Sequence, residues 1–279
     1  MVAKPRKDLN VNRFRFAFAP LFAALSLVAH AASAALPPPD RLPAARGQAI
    51  EIQPINHGSV QLTYANKVIH VDPWSQGDYS QTKPADLVLI TDIHGDHLDK
   101  AALARVLKPG ASIVAPKAVA DQLTGMKNIF VLNNGQRRAV AGVMIEAVPM
   151  YNLVRGPAAG QLFHTKGRGN GYVVTLGGKR LYFSGDTENI PEARALKNID
   201  VAFVCMNLPY TMTPTEAAAL VSAMKPRIVY PYHYRGSNLQ EFADALKGEK
   251  IEERVDTGVV VIDKENLKTP DVQKLVGGG

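Results

Sequence analysis

The sequence is poor in cysteine and in long apolar segments. Cys205 is the only cysteine among 279 residues, which excludes an internal disulfide framework. It lies in the hydrophobic run 201–206, and this context predicts a buried packing residue. The apolar run at residues 16–29 is shorter than the ~20 residues that a membrane-spanning helix requires. The sequence shows no internal repeat.

The first 34 residues have the pattern of a secretory signal peptide. Five basic residues precede the apolar run at 16–29, and Ala32-Ser33-Ala34 fits a cleavage site before Ala35. The alternative is a single transmembrane anchor, for which the run is too short. No cysteine follows the run, which argues against a lipid anchor, and Arg13 and Arg15 are not adjacent, so the twin-arginine pair is absent. We therefore expect a periplasmic or secreted protein with no stable membrane anchor after cleavage.

The composition allows a full hydrophobic core, with 46% apolar and 20% charged residues. The formal net charge is +7, but removal of residues 1–34 takes away five basic residues and one acidic residue and leaves +3. This mild positive charge does not by itself indicate a nucleic-acid partner. No feature of the sequence specifies an oligomeric state.

Periodicity and turn signals divide the remaining chain into a Pro-rich lead-in (35–48), one domain (49–265) and a C-terminal tail (266–279). Strand patterns cover 50–55, 60–64, 67–71, 87–90, 112–115, 129–132, 143–149, 172–176, 179–183, 200–205, 227–230 and 258–262. One helix pattern begins after Asp99 as N-cap and stops at Pro109-Gly110, and others cover 116–123, 191–196, 239–246 and 213–224, where Thr213 and Glu216 fit a capping box. Gly177-Gly178 predicts a hairpin between the strands at 172–176 and 179–183. Residues 150–170 lack periodicity, and a loop of this length in a compact domain is typical of a functional segment. Strand-rich hairpins followed by strand–helix units occur twice, which predicts an α+β fold with helices covering two packed sheets.

Potential metal ligands concentrate where one of these strands ends. Asp92, His94, Asp96 and His97 lie within six residues, directly after the apolar run 87–90. Strand ends hold side chains rigidly around a cleft, and imidazole and carboxylate are common metal ligands. This stretch predicts one half of a two-metal hydrolase site, with the other half downstream.

The ordered set of motifs resembles the metallo-β-lactamase superfamily. The motifs are Asp92-Ile93-His94-Gly95-Asp96-His97, His164, Gly185-Asp186-Thr187 and His233. The flanking motifs are most similar to the branch of ascorbate-6-phosphate lactonase and related zinc-dependent hydrolases. These are His57-Gly58-Ser59, Val71-Asp72-Pro73, Gly169-Asn170-Gly171-Tyr172, Tyr182-Phe183-Ser184 and Tyr230-Pro231-Tyr232-His233. The resemblance covers residues 50–262 and implies a four-layer αββα sandwich.

The resemblance also implies roles for the ligands. His94 and His164 would bind a first metal ion, Asp96, His97 and His233 a second, and Asp186 both. The family's first position is normally histidine, but here it is Asp92. Zinc accepts a carboxylate there, and the harder donor also makes manganese or iron plausible.

The implied reaction is hydrolysis of an ester, lactone, amide or phosphodiester by a hydroxide that bridges two ions, with Asp96 and Asp186 serving catalysis. The fold hosts all of these reactions, so it does not select the substrate. One alternative is a non-catalytic metal-binding protein with a degenerate site. Another is a di-iron redox protein, although no flavin-binding domain follows residue 262.

Several residues near the ligands are candidates for contact with the metal centre or with a small-molecule substrate. They are His57, Arg168, Asn170, Tyr210, Tyr232 and Tyr234, of which the asparagine and the tyrosines are alternatively packing or turn residues. Lys166, Arg168 and Arg235 form either a solvated loop face or a basic rim for an anionic substrate. His70 lies in an alternating strand, which predicts a structural role.

Overall fold

The computed structural model describes residues 36–253 and contains two mixed β-sheets. The predicted signal peptide (1–34), the predicted strand at 258–262 and the predicted tail (266–279) lie outside these residues. Within them, no helix is both long enough and apolar enough to cross a membrane.

The first sheet contains seven strands paired in chain order. They are β1 (Asp40–Pro43), β2 (Ala49–Asn56), β3 (Ser59–Tyr64), β4 (Lys67–Val71), β5 (Ala85–Leu89), β6 (Leu107–Ala115) and β7 (Ile129–Val131). β1 to β4 are antiparallel and β4 to β7 are parallel. Ala65 and Asn66 both have positive φ between β3 and β4, as a two-residue hairpin turn requires. The three strands predicted at 50–71 are confirmed.

The second sheet contains the later strands in reverse spatial order, from β14 to β8. They are β8 (Arg137–Val140), β9 (Val143–Met150), β10 (Gly169–Leu176), β11 (Lys179–Phe183), β12 (Val201–Cys205), β13 (Ile228–Tyr232) and β14 (Glu252–Glu253). β8 to β11 are antiparallel and β11 to β14 are parallel. The predicted hairpin at 172–183 is therefore confirmed.

Five helices complete the described part of the chain. They are α1 (Lys100–Val106), α2 (Lys117–Ala120), α3 (Pro191–Arg194), α4 (Pro214–Met224) and α5 (Leu239–Ala245). Asp99 caps α1 by accepting from two backbone N–H groups, and Thr213 and Glu216 form a capping box on α4. These local signals placed the starts of both helices correctly.

The hydrophobic residues separate into two clusters that define the layers. The larger cluster joins residues of both sheets, such as Leu62 and Val173, and includes Leu220 of α4. The smaller cluster packs α1 and α2 against the other face of the first sheet and contains Leu103 of α1 and Val88 of β5. Helices thus cover two packed sheets, and the predicted α+β sandwich is confirmed. Cys205 is fully buried in the larger cluster, as its hydrophobic context predicted.

Three strands lie where the sequence predicted none. β1 falls inside the Pro-rich lead-in and pairs with β2, with Pro43 at its last position, where an edge strand tolerates proline. Among the described strands, β8 pairs only with β9 and is mostly exposed, so it lacks an apolar alternation. The third is the two-residue strand β14, which pairs with β13. β6 begins at Leu107, directly after α1, and runs through Pro109 and Gly110, which were predicted as a helix stop. Helix α1 ends at Val106, before the predicted stop, and the extended strand β6 follows at once.

His70 in β4 is fully buried, as expected for a structural residue, and its Nε2 lies 2.9 Å from the backbone oxygen of Lys83. Burial lowers the pKa of His70 from 6.5 to about 4. The unfolded chain therefore binds a proton below about pH 6.5, whereas the folded chain does so only near pH 4.

We predict that this difference destabilises the folded protein as the pH falls from 6.5 to 4. The contribution is about 3 kcal/mol at pH 4, since one pKa unit corresponds to about 1.4 kcal/mol. Urea unfolding at several pH values should show a shallower dependence in His70→Gln than in the wild type. Parallel curves for the two proteins would contradict the prediction.

Candidate metal centre

The predicted ligands converge because strand direction brings their loops to common sheet edges. β2, β4 and β5 run in the same direction, so the residues after their carboxyl ends lie at one edge. His57 follows β2 and the 92–97 stretch follows β5. In the second sheet, β11 and β13 are likewise parallel, and Asp186 and His233 follow them.

One set of ligands, here called the first group, consists of Asp92, His94 and His164. Asp92 Oδ2 lies 3.0 Å from His94 Nδ1 and 4.0 Å from His164 Nε2. One potential ligand atom from each residue falls within 4.8 Å of the others. This set contains His94 and His164, which the resemblance assigned to the first metal ion, together with Asp92.

A second set, here called the second group, consists of Asp96, His57 and His233. Asp96 Oδ2 lies 3.3 Å from His57 Nε2 and 3.2 Å from His233 Nε2. His97 Nε2 is 3.9 Å from Asp96 Oδ1. The structure thus adds His57 to the residues expected at the second site, where the sequence suggested only a supporting position for it.

Asp186 lies between the two groups. Its Oδ2 is 3.3 Å from His164 Nε2, and its Oδ1 is 3.3 Å from His233 Nε2. His97 Nε2 is also 3.4 Å from Asp186 Oδ2. A single carboxylate therefore touches ligands of both groups.

Several buried ligand atoms have no hydrogen-bond partner in the described part of the chain. They are His97 Nε2, His164 Nε2 and Asp186 Oδ1. Buried polar atoms are normally satisfied, so convergent orphan atoms require an explanation. Imidazole nitrogen and carboxylate oxygen are ordinary zinc ligands, and these residues fit a divalent metal ion.

In two of the ligand histidines, the hydrogen bond made by Nδ1 determines that Nε2 is the ring nitrogen free to bind a metal ion. His97 Nδ1 lies 2.8 Å from Asp72 Oδ2, and Asp72 is also bound by the amide and hydroxyl of Thr91. His164 Nδ1 lies 2.7 Å from Asn152 Oδ1, an acceptor. Both histidines therefore donate from Nδ1 and present Nε2 to the centre. Sequence analysis did not identify Asp72 or Asn152 as site residues, although the Val71-Asp72-Pro73 motif contained the first.

The charges in the site stabilise one another. Burial alone would raise the pKa of Asp186, but His233 and His97 outweigh it and hold that pKa well below its usual range. For Asp96, hydrogen bonds from His233 and His57 likewise overcome burial and lower the pKa. Burial lowers the pKa of His97, yet Asp186 and Asp72 together raise it well above 6.5. Asp186 and Asp96 are thus kept ionised, as metal ligands must be.

The segment between β9 and β10, predicted as a functional loop, is held in place by Glu188. This buried carboxylate accepts from the backbone N–H groups of Leu153, Val154 and Arg155. It also accepts from the amide of Asn152, which orients His164. The loop lacks regular secondary structure, yet its anchoring positions a metal ligand.

A cavity of about 340 Å³ opens over the ligands. Its lining residues are His57, His94, Asp96, Phe163, His164, Asp186, Asn207, Tyr210, His233 and Arg235. Of the predicted neighbours, Tyr210 and His57 thus reach the cavity. Asn170 does not line it, because its amide is used in hydrogen bonds with Leu132 and Asn134. Tyr232 accepts from the amide of Gly185, beside the ligand Asp186.

The three basic residues predicted as a rim have different surroundings. Lys166 pairs with Glu192, and Arg168 pairs with Asp92. Arg235 lines the cavity and lies over the ring of Trp74, 5.5 Å from its centroid. Of the three, Arg235 is the residue that lines the cavity.

The fold and these ligands define a protein class, and comparison with known sequences agrees. The profile of the beta-lactamase superfamily domain matches residues 51–233. The chain belongs to the metallo-β-lactamase superfamily, as its motifs predicted.

Three proteins are similar to this one over most of the chain. A protein of Thermococcus onnurineus named a metal-dependent hydrolase is 31% identical over 222 residues, covering 73% of this chain and 94% of its own. A crystal structure from Parabacteroides distasonis, also assigned as a metal-dependent hydrolase, is 41% identical with a TM-score of 0.74. It covers 80% of this chain and 99% of its own. A metallo hydrolase of Ignicoccus hospitalis, 22% identical with a TM-score of 0.64, shares the fold over 76% of this chain and 97% of its own.

We predict that Asp72→Asn weakens zinc binding by about ten- to a hundredfold, because the ring of His97 loses its carboxylate acceptor. Competition with a chromophoric chelator would measure the affinity. Asp86→Asn is a matched control, since Asp86 accepts from Val68 N and Lys108 Nζ at the start of β5, away from the centre. Equal affinities in Asp72→Asn and the wild type would show that this contact does not support the metal site.

Proposed function

We propose that the chain is a metal-dependent hydrolase whose two metal ions, zinc in the first instance, are held on either side of Asp186. The observation that carries this proposal is the position of the Asp186 carboxylate, 3.3 Å from ligands of both groups. Manganese and iron are the alternatives, since a carboxylate-containing site also suits harder ions. The relatives named as metal-dependent hydrolases support the same activity.

The proposed chemistry divides between metal ions and side chains. Two divalent ions, when bound, would lower the pKa of a shared water from ~15.7 to near 7 and so supply a bridging hydroxide as nucleophile. Asp186 and Asp96 both line the cavity, and each offers a carboxylate oxygen that can accept a hydrogen bond from the attacking water. Their lowered pKa values keep them ionised and suited to orient that water. The reaction is cleavage of an ester, lactone, amide or phosphodiester.

We propose a small-molecule substrate that carries a negative charge, on the basis of the residues that line the cavity. Arg235 offers a guanidinium there, beside the ring of Trp74. Asn207 and Tyr210 add polar groups, and Phe163 adds an apolar wall. A hydrolysis screen that pairs anionic and neutral lactones, phosphodiesters and β-lactams, with and without added zinc or manganese, tests both the bond type and the charge preference.

We predict that Asp186→Asn lowers the kcat/KM of any hydrolysis found in this screen by at least about a hundredfold, more than the loss of an outer-shell contact costs. The reason is that one substitution removes a ligand charge from both groups. Circular dichroism should show that the variant remains folded. Asp200→Asn provides a control, because Asp200 pairs with Lys179 far from the cavity and should retain wild-type turnover. Unchanged turnover in Asp186→Asn would refute the shared role.

Elemental analysis of protein purified without chelator separates this function from its alternatives. About two zinc ions per chain would support the hydrolase, and two iron ions would support a redox protein. A chain that binds no metal would contradict both. A chain that binds metal but hydrolyses nothing in the screen would favour the non-catalytic alternative.

We also propose that the protein is exported and cleaved before Ala35, on the basis of the signal-peptide pattern in residues 1–34. Expression with its own leader, fractionation and N-terminal sequencing would test this. We expect a periplasmic or secreted form that begins at Ala35. A form that retains Met1 and sediments with membranes would support an anchor instead.

A further inference from the structure

Among the described residues, Asp92 is the one ligand carboxylate of the site that is paired with a permanent cation. Arg168 Nε lies 3.1 Å from Asp92 Oδ1, and Arg168 Nη2 lies 2.8 Å from Asp92 Oδ2. Both oxygens therefore accept from a single guanidinium, in the bidentate geometry that makes such pairs strong. Asp92 is fully buried and the arginine side chain is 21% exposed, so water screens the pair weakly.

The backbone around this pair is built to keep it in place. The third nitrogen of the guanidinium, Arg168 Nη1, donates to the backbone oxygen of Phe163 at 2.8 Å. The backbone N–H of Asn170 donates to the backbone oxygen of Thr91, which ties the start of β10 to the residue before Asp92. A Cβ on Gly169 would lie 2.9 Å from the same Thr91 oxygen and 3.2 Å from Asp92 Oδ1, so this close approach requires glycine.

The other two carboxylates of the centre have different partners. Among the described residues, Asp96 lies near His57, His97 and His233, and Asp186 lies near His97, His164 and His233. Imidazoles can release their protons when a metal ion binds, and the negative charge of the carboxylate then acts on the metal alone. An arginine cannot do so, because it remains protonated in proteins.

We infer that Arg168 cancels the charge of Asp92 and makes the first group the weaker of two unequal metal sites, so that the second group fills first. The first group offers two neutral imidazoles and a neutralised carboxylate, with the shared Asp186. The second offers the full charge of Asp96, together with the same Asp186. This inference rests on the proposed metal centre and adds an order of loading to it. Full occupancy would then require metal in excess of one ion per chain.

Zinc titration of the metal-free protein, with competing chelators of graded affinity, tests the inference without an activity assay. We expect one tight and one weak step in the wild type, and loss of the weak step alone in His94→Ala. Arg168→Gln should tighten the weak step by about tenfold or more, which corresponds to about 1.4 kcal/mol, and should change the tight step less.

Arg235→Gln is the matched control for charge, because Arg235 lines the cavity over the ligands but is not paired with Asp92. Its weak step should shift much less than that of Arg168→Gln. If Arg168→Gln fails to fold because Asp92 is left unpaired, a second comparison still tests the inference. The Asp92→Asn/Arg168→Gln double variant buries no unpaired charge, and its weak step should be tighter than that of Asp92→Asn alone.

Three results would overturn the inference. Two zinc-binding steps of equal affinity in the wild type would overturn the inference but leave the proposed metal centre intact. A weaker first-group step in Arg168→Gln would show that the arginine instead orients Asp92 as a ligand. Absence of any metal binding would overturn the inference together with the proposed function.

Discussion

The contact between the buried Asp186 carboxylate and three imidazoles is the constraint on which the site depends. A buried carboxylate without partners is costly, so the loops that carry His97, His164 and His233 must meet around it. The loop with His97 follows a strand of the first sheet, whereas the loops with His164 and His233 belong to the second sheet. The packing of the two sheets therefore fixes the geometry of the centre, and a shift of one sheet against the other would separate the partners.

The same requirement extends one contact further out. Asp72 and Asn152 fix the rings of two ligand histidines, and Glu188 fixes the loop from which Asn152 projects. Each of these groups is buried and hydrogen-bonded, so the network is satisfied except where it faces the centre. Among the described residues, the atoms left without a partner at the centre are His97 Nε2, His164 Nε2 and Asp186 Oδ1, and convergent unsatisfied ligand atoms are what a metal site requires.

Asp92 shows how a single departure from a family motif can be matched elsewhere in the chain. Histidine at this position would be neutral when ligating, whereas aspartate adds a buried negative charge that needs a partner. That partner is Arg168, 76 residues later, next to a glycine that permits the approach. Because of this pair, the first and second groups of ligands differ in net charge, although each consists of one aspartate and two histidines.

The sequence by itself determined the features that depend on neighbouring residues. Alternation identified β2 to β4, capping residues identified the starts of α1 and α4, and the crowding of ligands after β5 identified half of the centre. Edge strands such as β8 escaped because exposed strands lack an apolar alternation. Only the tertiary structure decided that His57 joins the second group, that Asp72 and Asn152 orient ligands, and that Arg168 binds Asp92. These contacts join residues far apart in the chain, and their energy depends on distance and burial, which the order of residues does not contain.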